Sequence, residues 1–123
     1  MISFEHFSME DGSPLYLQII RHIKQGIVAG IIQNQDEMPS RRVLSSLLGV
    51  NPNTVQKAYR ILEEENIIES HSGAKSYVSI SEKQIEGLRT ELLQSNAKTV
   101  IHAMKQMGIT KNEALSLIET YWE

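Results

Sequence analysis

Two apolar stripes interrupted by Gly49-Val50-Asn51-Pro52 constrain residues 39–65, PSRRVLSSLLGVNPNTVQKAYRILEEE, more tightly than any other part of the chain. Val43, Leu44, Leu47 and Leu48 lie at helical spacing, so a helix is expected over Arg41–Leu48 with Ser40 as its cap. Gly49 stands where that helix must stop, a position that often needs a left-handed backbone, which glycine adopts cheaply. Asn51 is the expected N-cap of a second helix. Pro52 suits the first helical position because it has no N–H to lose. Val55, Ala58, Tyr59 and Leu62 then form an i, i+3, i+4, i+7 stripe, leaving Asn53, Thr54, Gln56, Lys57 and Arg60 facing outward.

Helix, glycine turn and polar-faced helix make a helix-turn-helix arrangement, whose second helix enters the major groove of DNA. The outward side chains suit that task. The amides and hydroxyl of Asn53, Thr54 and Gln56 can pair with base edges, and Lys57 and Arg60 can neutralise phosphates. Between Met38 and Leu62 there are four basic residues (Arg41, Arg42, Lys57, Arg60) and no acidic one, although the whole chain carries −3. DNA responds to charges within a Debye length of about 8–10 Å, so the local window is more informative than the total. An ordinary pair of core helices with solvated outer faces meets the same spacing.

The order of motifs is more specific. Pro14-Leu15-Tyr16, Met38-Pro39-Ser40-Arg41-Arg42-Val43-Leu44, Gly49-Val50-Asn51-Pro52-Asn53-Thr54-Val55, Ala58-Tyr59, Leu62-Glu63, and Gly73 ahead of Tyr77-Val78 resemble the GntR family of bacterial winged-helix repressors. The short tail and the Asn-Pro-Asn-Thr-Val form are similar to its YtrA-type subfamily. The resemblance covers residues 13–80 and implies that Arg42, matching the arginine of a Pro-Ser-x-Arg motif, reaches DNA from the first helix. It also implies that Asn51, Pro52, Asn53, Thr54 and Gln56 open the recognition helix. Many relatives carry arginines where Pro52 and Gln56 stand, so two guanine contacts worth about 1–3 kcal/mol each are absent here. In the wing, Lys75 replaces a second glycine and offers a phosphate contact beside Ser72 and Gly73.

Towards the N-terminus, residues 1–12 form an arm in which Phe4, Phe7 and Met9 either pack on the domain or stay mobile. Ser13 is the expected cap of a helix over 14–29, with Pro14 as its first residue and Leu15, Tyr16, Ile19, Ile20, Ile23 and Ile27 inward. Residues 31–37 read as a polar connection. Beyond the recognition helix, 67–70 and 76–80 read as two strands about a turn at 72–75, a pair that needs helices or a third strand for support. The glutamates at 63–65 read as a solvated helix end turned away from DNA.

The tail, 81–123, reads as helical and too short to fold alone. Ile85, Leu88, Leu92 and Leu93 form one stripe ending near Asn96. Ala97, Val100, Ile101, Met104 and Met107 form the next, stopped by Gly108. Thr110-Lys111-Asn112-Glu113 matches a capping box, opening a last helix with Ala114, Leu117, Ile118, Tyr121 and Trp122 as its apolar positions. Such a surface calls for a partner, and a second copy of the chain is the economical one. Leu88, Leu92, Val100, Ile101, Met104, Leu117, Ile118, Tyr121 and Trp122 are therefore the expected dimerisation residues. Folding back on the chain's own winged helix is the other solution.

The expected fold class is thus mainly α with a small β-hairpin wing: a winged helix-turn-helix domain over 13–80, then a helical dimerisation segment. The absence of cysteine excludes disulfides and thiol chemistry and agrees with a reducing cytoplasm. No apolar run approaches the roughly 18 residues of a membrane span. His6, His22, His71 and His102 lack metal-ligand spacing, and no phosphate loop or catalytic constellation is present, so neither enzyme activity nor a cofactor or metal is expected. The expectation is a cytoplasmic homodimeric regulator, most simply a repressor of an inverted-repeat operator in double-stranded DNA. By resemblance alone, an ABC-transporter operon is implied as its target. A small-molecule effector has no residues here that would name it. The competing expectation is a winged-helix protein-interaction module without DNA binding, which the overall negative charge favours.

Overall fold

The computed structural model describes residues 1–10, 12–71 and 75–123. Its elements run α1 (Leu15–Val28), α2 (Arg41–Leu48), α3 (Pro52–Glu64), β1 (Ile68–Ser70), β2 (Ser76–Val78), α4 (Glu82–Gln106) and α5 (Lys111–Tyr121). They divide into two compact units, Met1–Leu88 and Arg89–Glu123.

In the first unit, Ile19, Ile20, Ile23 and Ile27 of α1 meet Val55, Ala58, Tyr59 and Leu62 of α3, all buried in one core. The cap of α1 differs from expectation. Pro14 (φ −59, ψ 141) occupies the N-cap, with no side-chain cap bond, and Ser13 lies outside the helix. The extended ψ of Pro14 delays the first helical residue to Leu15, and the Pro14 carbonyl accepts from Leu17 and Gln18. Gln18 also fastens the arm. Its amide nitrogen donates to the Glu10 and Ser13 carbonyls, and its oxygen accepts from the Glu10 N–H. The arm is packed: Ile2 and Phe4 are buried, and His22 lies 4.5 Å from Phe4 and 5.4 Å from Phe7, ring centre to ring centre.

Helix α2 starts as expected, the Ser40 hydroxyl accepting from the Val43 amide at 3.1 Å. Its buried side is narrower than the sequence stripe. Leu44 and Ser45 are buried, whereas Val43 and Leu47 are 54% and 67% exposed. Eight residues against α3 seal only one strip, and Ser45 tolerates that strip because its hydroxyl donates to the Arg42 carbonyl at 3.0 Å. Gly49 ends the helix at φ 68, ψ 37. A Cβ added there would meet nothing within 4 Å, so a substitution feels backbone strain alone. Gly49→Ala is therefore expected to destabilise the fold by about 1–2 kcal/mol, read as a lower midpoint in urea unfolding.

The hairpin is antiparallel, Ile68 pairing with Val78, Glu69 with Tyr77 and Ser70 with Ser76. Residues 31–37, expected to be a plain polar connection, supply the outer partner that so short a pair requires. Glu37 bridges Tyr77, the Gln35 amide donates to the Val78 carbonyl at 2.8 Å, and the Val78 amide donates to Asp36 at 2.9 Å. Ile32 within that segment and Met38 directly after it are buried.

Helix α4 is continuous over 25 residues, without the interruption expected near Asn96. Neither glycine nor proline occurs between Leu88 and Gln106, so nothing local stops it. It ends before Gly108, whose φ is 74. Helix α5 opens with the expected capping box, Thr110 accepting from the Glu113 amide while the Glu113 carboxylate accepts from the Thr110 amide. None of its residues is buried.

Candidate nucleic-acid interface

The outward face of α3 is prepared from its first residue. The Asn51 side chain accepts from the Asn53 amide at 2.8 Å, which commits Asn51 to holding the helix start, with Pro52 behind it. Asn53, Gln56, Lys57 and Arg60 are exposed and Thr54 is half-buried, all on the side opposite the buried stripe. The Lys57 ammonium lies 4.0 Å from the centre of the Tyr16 ring, a cation–π contact that aims the lysine. Arg60 faces Glu64 one turn on, at 3.5 Å, both well exposed, and such a pair is too screened to hold the arginine firmly.

At the start of α2, two adjacent arginines have different fates. Arg42 is exposed and has no ion pair among the described residues. Arg41 donates to Glu63 at 2.6 Å, and its guanidinium lies 4.9 Å from the centre of the Tyr59 ring. Glu63 also accepts from the Ser70 hydroxyl at 3.3 Å. Glu64 and Glu65 of the acidic run are exposed, as expected of a solvated helix end, yet each carboxylate of the run also has a cation partner. Glu63 pairs with Arg41, Glu64 with Arg60, and Glu65 with Lys24 at 2.8 Å, because the end of α3 lies within reach of cations on α1, α2 and its own preceding turn.

Tyr59 ties this region together from below. Fully buried, it donates its hydroxyl to the Pro39 carbonyl at 2.5 Å, and burial pushes its phenol well above the usual range while Arg41 opposes that rise. In the wing, Lys75 is exposed, and its carbonyl accepts from the His71 amide at 2.9 Å. The His71 ring lies edge-on to Tyr77 at 5.1 Å. Ser72 and Gly73, both expected to meet DNA, lie outside the described residues.

The structure adds Tyr16, Tyr59, Glu63 and Ser70 to the neighbourhood of the expected DNA face. None carried a local signal, since each acts through a residue distant in sequence. Of the tail positions expected to pair two copies, Val100, Ile101, Leu117, Ile118, Tyr121 and Trp122 are exposed, and Leu92 and Met104 are half-buried. Leu88 is a correction. It belongs to the buried core of the first unit, because the first turns of α4 supply Leu88 and the half-buried Ile85 to that core. Among the described residues, no group of three or more histidine, cysteine, aspartate or glutamate side chains could hold a metal ion, and no helix is long and apolar enough to cross a membrane.

Residues 15–78 match the bacterial regulatory proteins, gntR family. The HTH-type transcriptional repressor YtrA of Bacillus subtilis is 36% identical over 102 residues, which cover 83% of this chain and 74% of that protein. A GntR family transcriptional regulator from Listeria monocytogenes superposes with a TM-score of 0.78 at 32% identity, covering 91% of this chain and 98% of the other. The solved AraR(DBD) in complex with operator ORX1 gives a TM-score of 0.51 at 26% identity, over 63% of this chain and 93% of that one. The capped recognition helix, its braced hairpin and a match spanning the whole motif place the chain in the GntR family of bacterial regulatory proteins, as a winged-helix DNA-binding transcription regulator and not an enzyme.

Proposed function

We propose that the chain is a homodimeric, cytoplasmic repressor that reads an inverted-repeat operator. In this reading residues 13–80 form the reading head, with residues 1–12 as its packed arm, and 81–123 join two copies. The carrying observation is the exposed strip of Asn53, Gln56, Lys57 and Arg60 on a helix whose opposite side is fully committed to the core. A helix so placed offers amides to base edges and cations to phosphates. Arg42 and Lys75 flank that strip in the proposed docking, and the AraR(DBD)–operator complex is a precedent for a related domain on DNA. The exposed apolar side chains of α5 support pairing of two copies, because a helix with no buried residue gains little from standing alone.

Arg42→Ala is expected to weaken operator binding and to reduce the slope of log affinity against log salt by about 0.9, the value of one lost phosphate contact. Asn53→Ala is expected to cost about 1–3 kcal/mol at one preferred base and to relax selection there. Titrating the protein against its own upstream DNA at two salt concentrations, by fluorescence anisotropy, checks both. Unchanged binding in both variants would place the docking face elsewhere, and a wild type with no saturable, salt-sensitive binding would favour an interaction module.

A further inference from the structure

Arg41 and Arg42 are neighbours at the start of the same helix, yet only one is free. Arg41 is 26% exposed and Glu63 35%, so their pair sits at the rim of the core, within reach of solvent. The pairing is one-pointed: one terminal nitrogen donates to Glu63, while the buried Nε finds no partner among the described residues. A guanidinium favours two parallel bonds to a carboxylate or a phosphate, so this arrangement leaves donor capacity unused. Glu63 is shared as well. It accepts from Ser70, the last residue of β1, whose hydroxyl lies 3.3 Å from that of Ser76, the first residue of β2. A single carboxylate therefore links the first helix of the motif, the end of the recognition helix and the turn-side end of the hairpin.

We propose that Arg41 is a phosphate ligand held in reserve by Glu63, so that this carboxylate sets the DNA affinity of the chain and its salt dependence. The inference rests on DNA binding by the face described above. Because Glu63 already neutralises Arg41, docking gains nothing from that cation. Removing the negative charge frees it to meet a phosphate and to release one more counterion. Glu63 is thus a positioning residue that acts through Arg41 and, by way of Ser70, on the wing. The arrangement suits a regulator that must leave its operator readily, since each phosphate contact multiplies affinity at low salt.

The test uses the full chain and a DNA duplex that the wild type recovers from a random-sequence pool, titrated by anisotropy across a series of KCl concentrations. Glu63→Gln keeps the side-chain shape and an acceptor for the Ser70 hydroxyl while removing the charge that holds Arg41. It is expected to bind severalfold more tightly at low salt and to steepen the salt slope by about 0.9. Arg41→Gln alone is expected to keep the wild-type slope, and the double variant Arg41→Gln/Glu63→Gln to return to it. Should Glu63→Gln fail to fold, Glu63→Asp, with its carboxylate drawn back by one methylene, is expected to steepen the slope partway. An unchanged slope in the charge-removed variant overturns the inference. So does a gain that survives in the double variant, which would mark simple relief of repulsion. Flattening by Arg41→Gln alone also overturns it, because Arg41 would then already touch phosphate. A purely structural role for Glu63 would lower the melting temperature and the affinity together without steepening the slope. A wild type that recovers no duplex overturns the DNA-binding reading beneath, whereas one that binds with the slope of Glu63→Gln overturns this inference alone.

Discussion

Replacing Ile118 and Trp122 together by aspartate is expected to leave a monomer that binds a two-half-site operator about 10²–10⁴-fold more weakly than the wild type. The size follows from tethering. When two reading heads are joined, the second binds at the effective concentration its linker imposes, and separation forfeits that gain without altering any contact to DNA. Trp122 is 81% exposed and Ile118 is exposed as well, so neither change opens a cavity in the chain's own core. Buried in a two-fold interface, however, each aspartate would be a charge without a partner. Sedimentation velocity reads the association state, and anisotropy with one-site and two-site duplexes reads the affinity. A variant that stays dimeric would remove α5 from the interface. A monomer that grips the two-site duplex as tightly as the wild type would remove dimerisation from the mechanism. Melting of the first unit is expected to be unchanged, which separates loss of pairing from loss of fold.

Local chemistry explains why the motif was readable from sequence. Ser40, Gly49, Asn51 and Pro52 each act within four residues of themselves, and the structure places all four as expected. The buried stripe of α3 was equally legible, because a helix with one sealed side leaves its period in the sequence. Legibility failed where the partner was remote. The third segment of the wing depends on Glu37 meeting Tyr77, and nothing between residues 31 and 37 announces an extended backbone. Proline at the head of α1 misled for the opposite reason. It fits the first helical turn, but its own extended ψ made it the cap instead.

The candidate site divides along the same line. Exposure of Asn53, Gln56, Lys57 and Arg60 followed from periodicity, whereas the state of each cation did not. Residues 38–62 hold four basic side chains and no acidic one, and the carboxylate that neutralises Arg41 lies one position past that window. Sequence spacing gave Arg41 and Arg42 equal standing; packing against Tyr59 and Glu63 separates them. Likewise Lys57 is steadied by Tyr16, a residue of another helix that its spacing had marked only as inward-facing. Surface charge can be counted in a sequence, but the charge available to DNA depends on which side chains the fold has already paired.

Tyr59→Ala is expected to cost about 3–5 kcal/mol, a large part of the 5–15 kcal/mol that holds a domain of this size. The ring is fully buried between the helices and carries Arg41 on one face, so truncation leaves a cavity that the core cannot refill. Tyr59→Phe isolates the hydroxyl. It keeps the ring but orphans the Pro39 carbonyl, at a cost of about 1–3 kcal/mol. The same variant carries a pH signature whose sign is fixed by burial. Desolvation raises the folded phenol well above its usual value of 10.0, with Arg41 opposing. Above that value an unfolded chain sheds the proton that the folded chain retains, so stability is complete below about pH 10 and declines as pH rises beyond it. Tyr59 should contribute about 1.4 kcal/mol of loss per pH unit there, and the phenylalanine variant should lack that component. Urea unfolding from about pH 8 to about pH 11 provides the comparison. Equal steepness in the two proteins would show that the hydroxyl is not sealed from solvent, and the link it makes between α3 and the start of α2 would then lose its energetic basis.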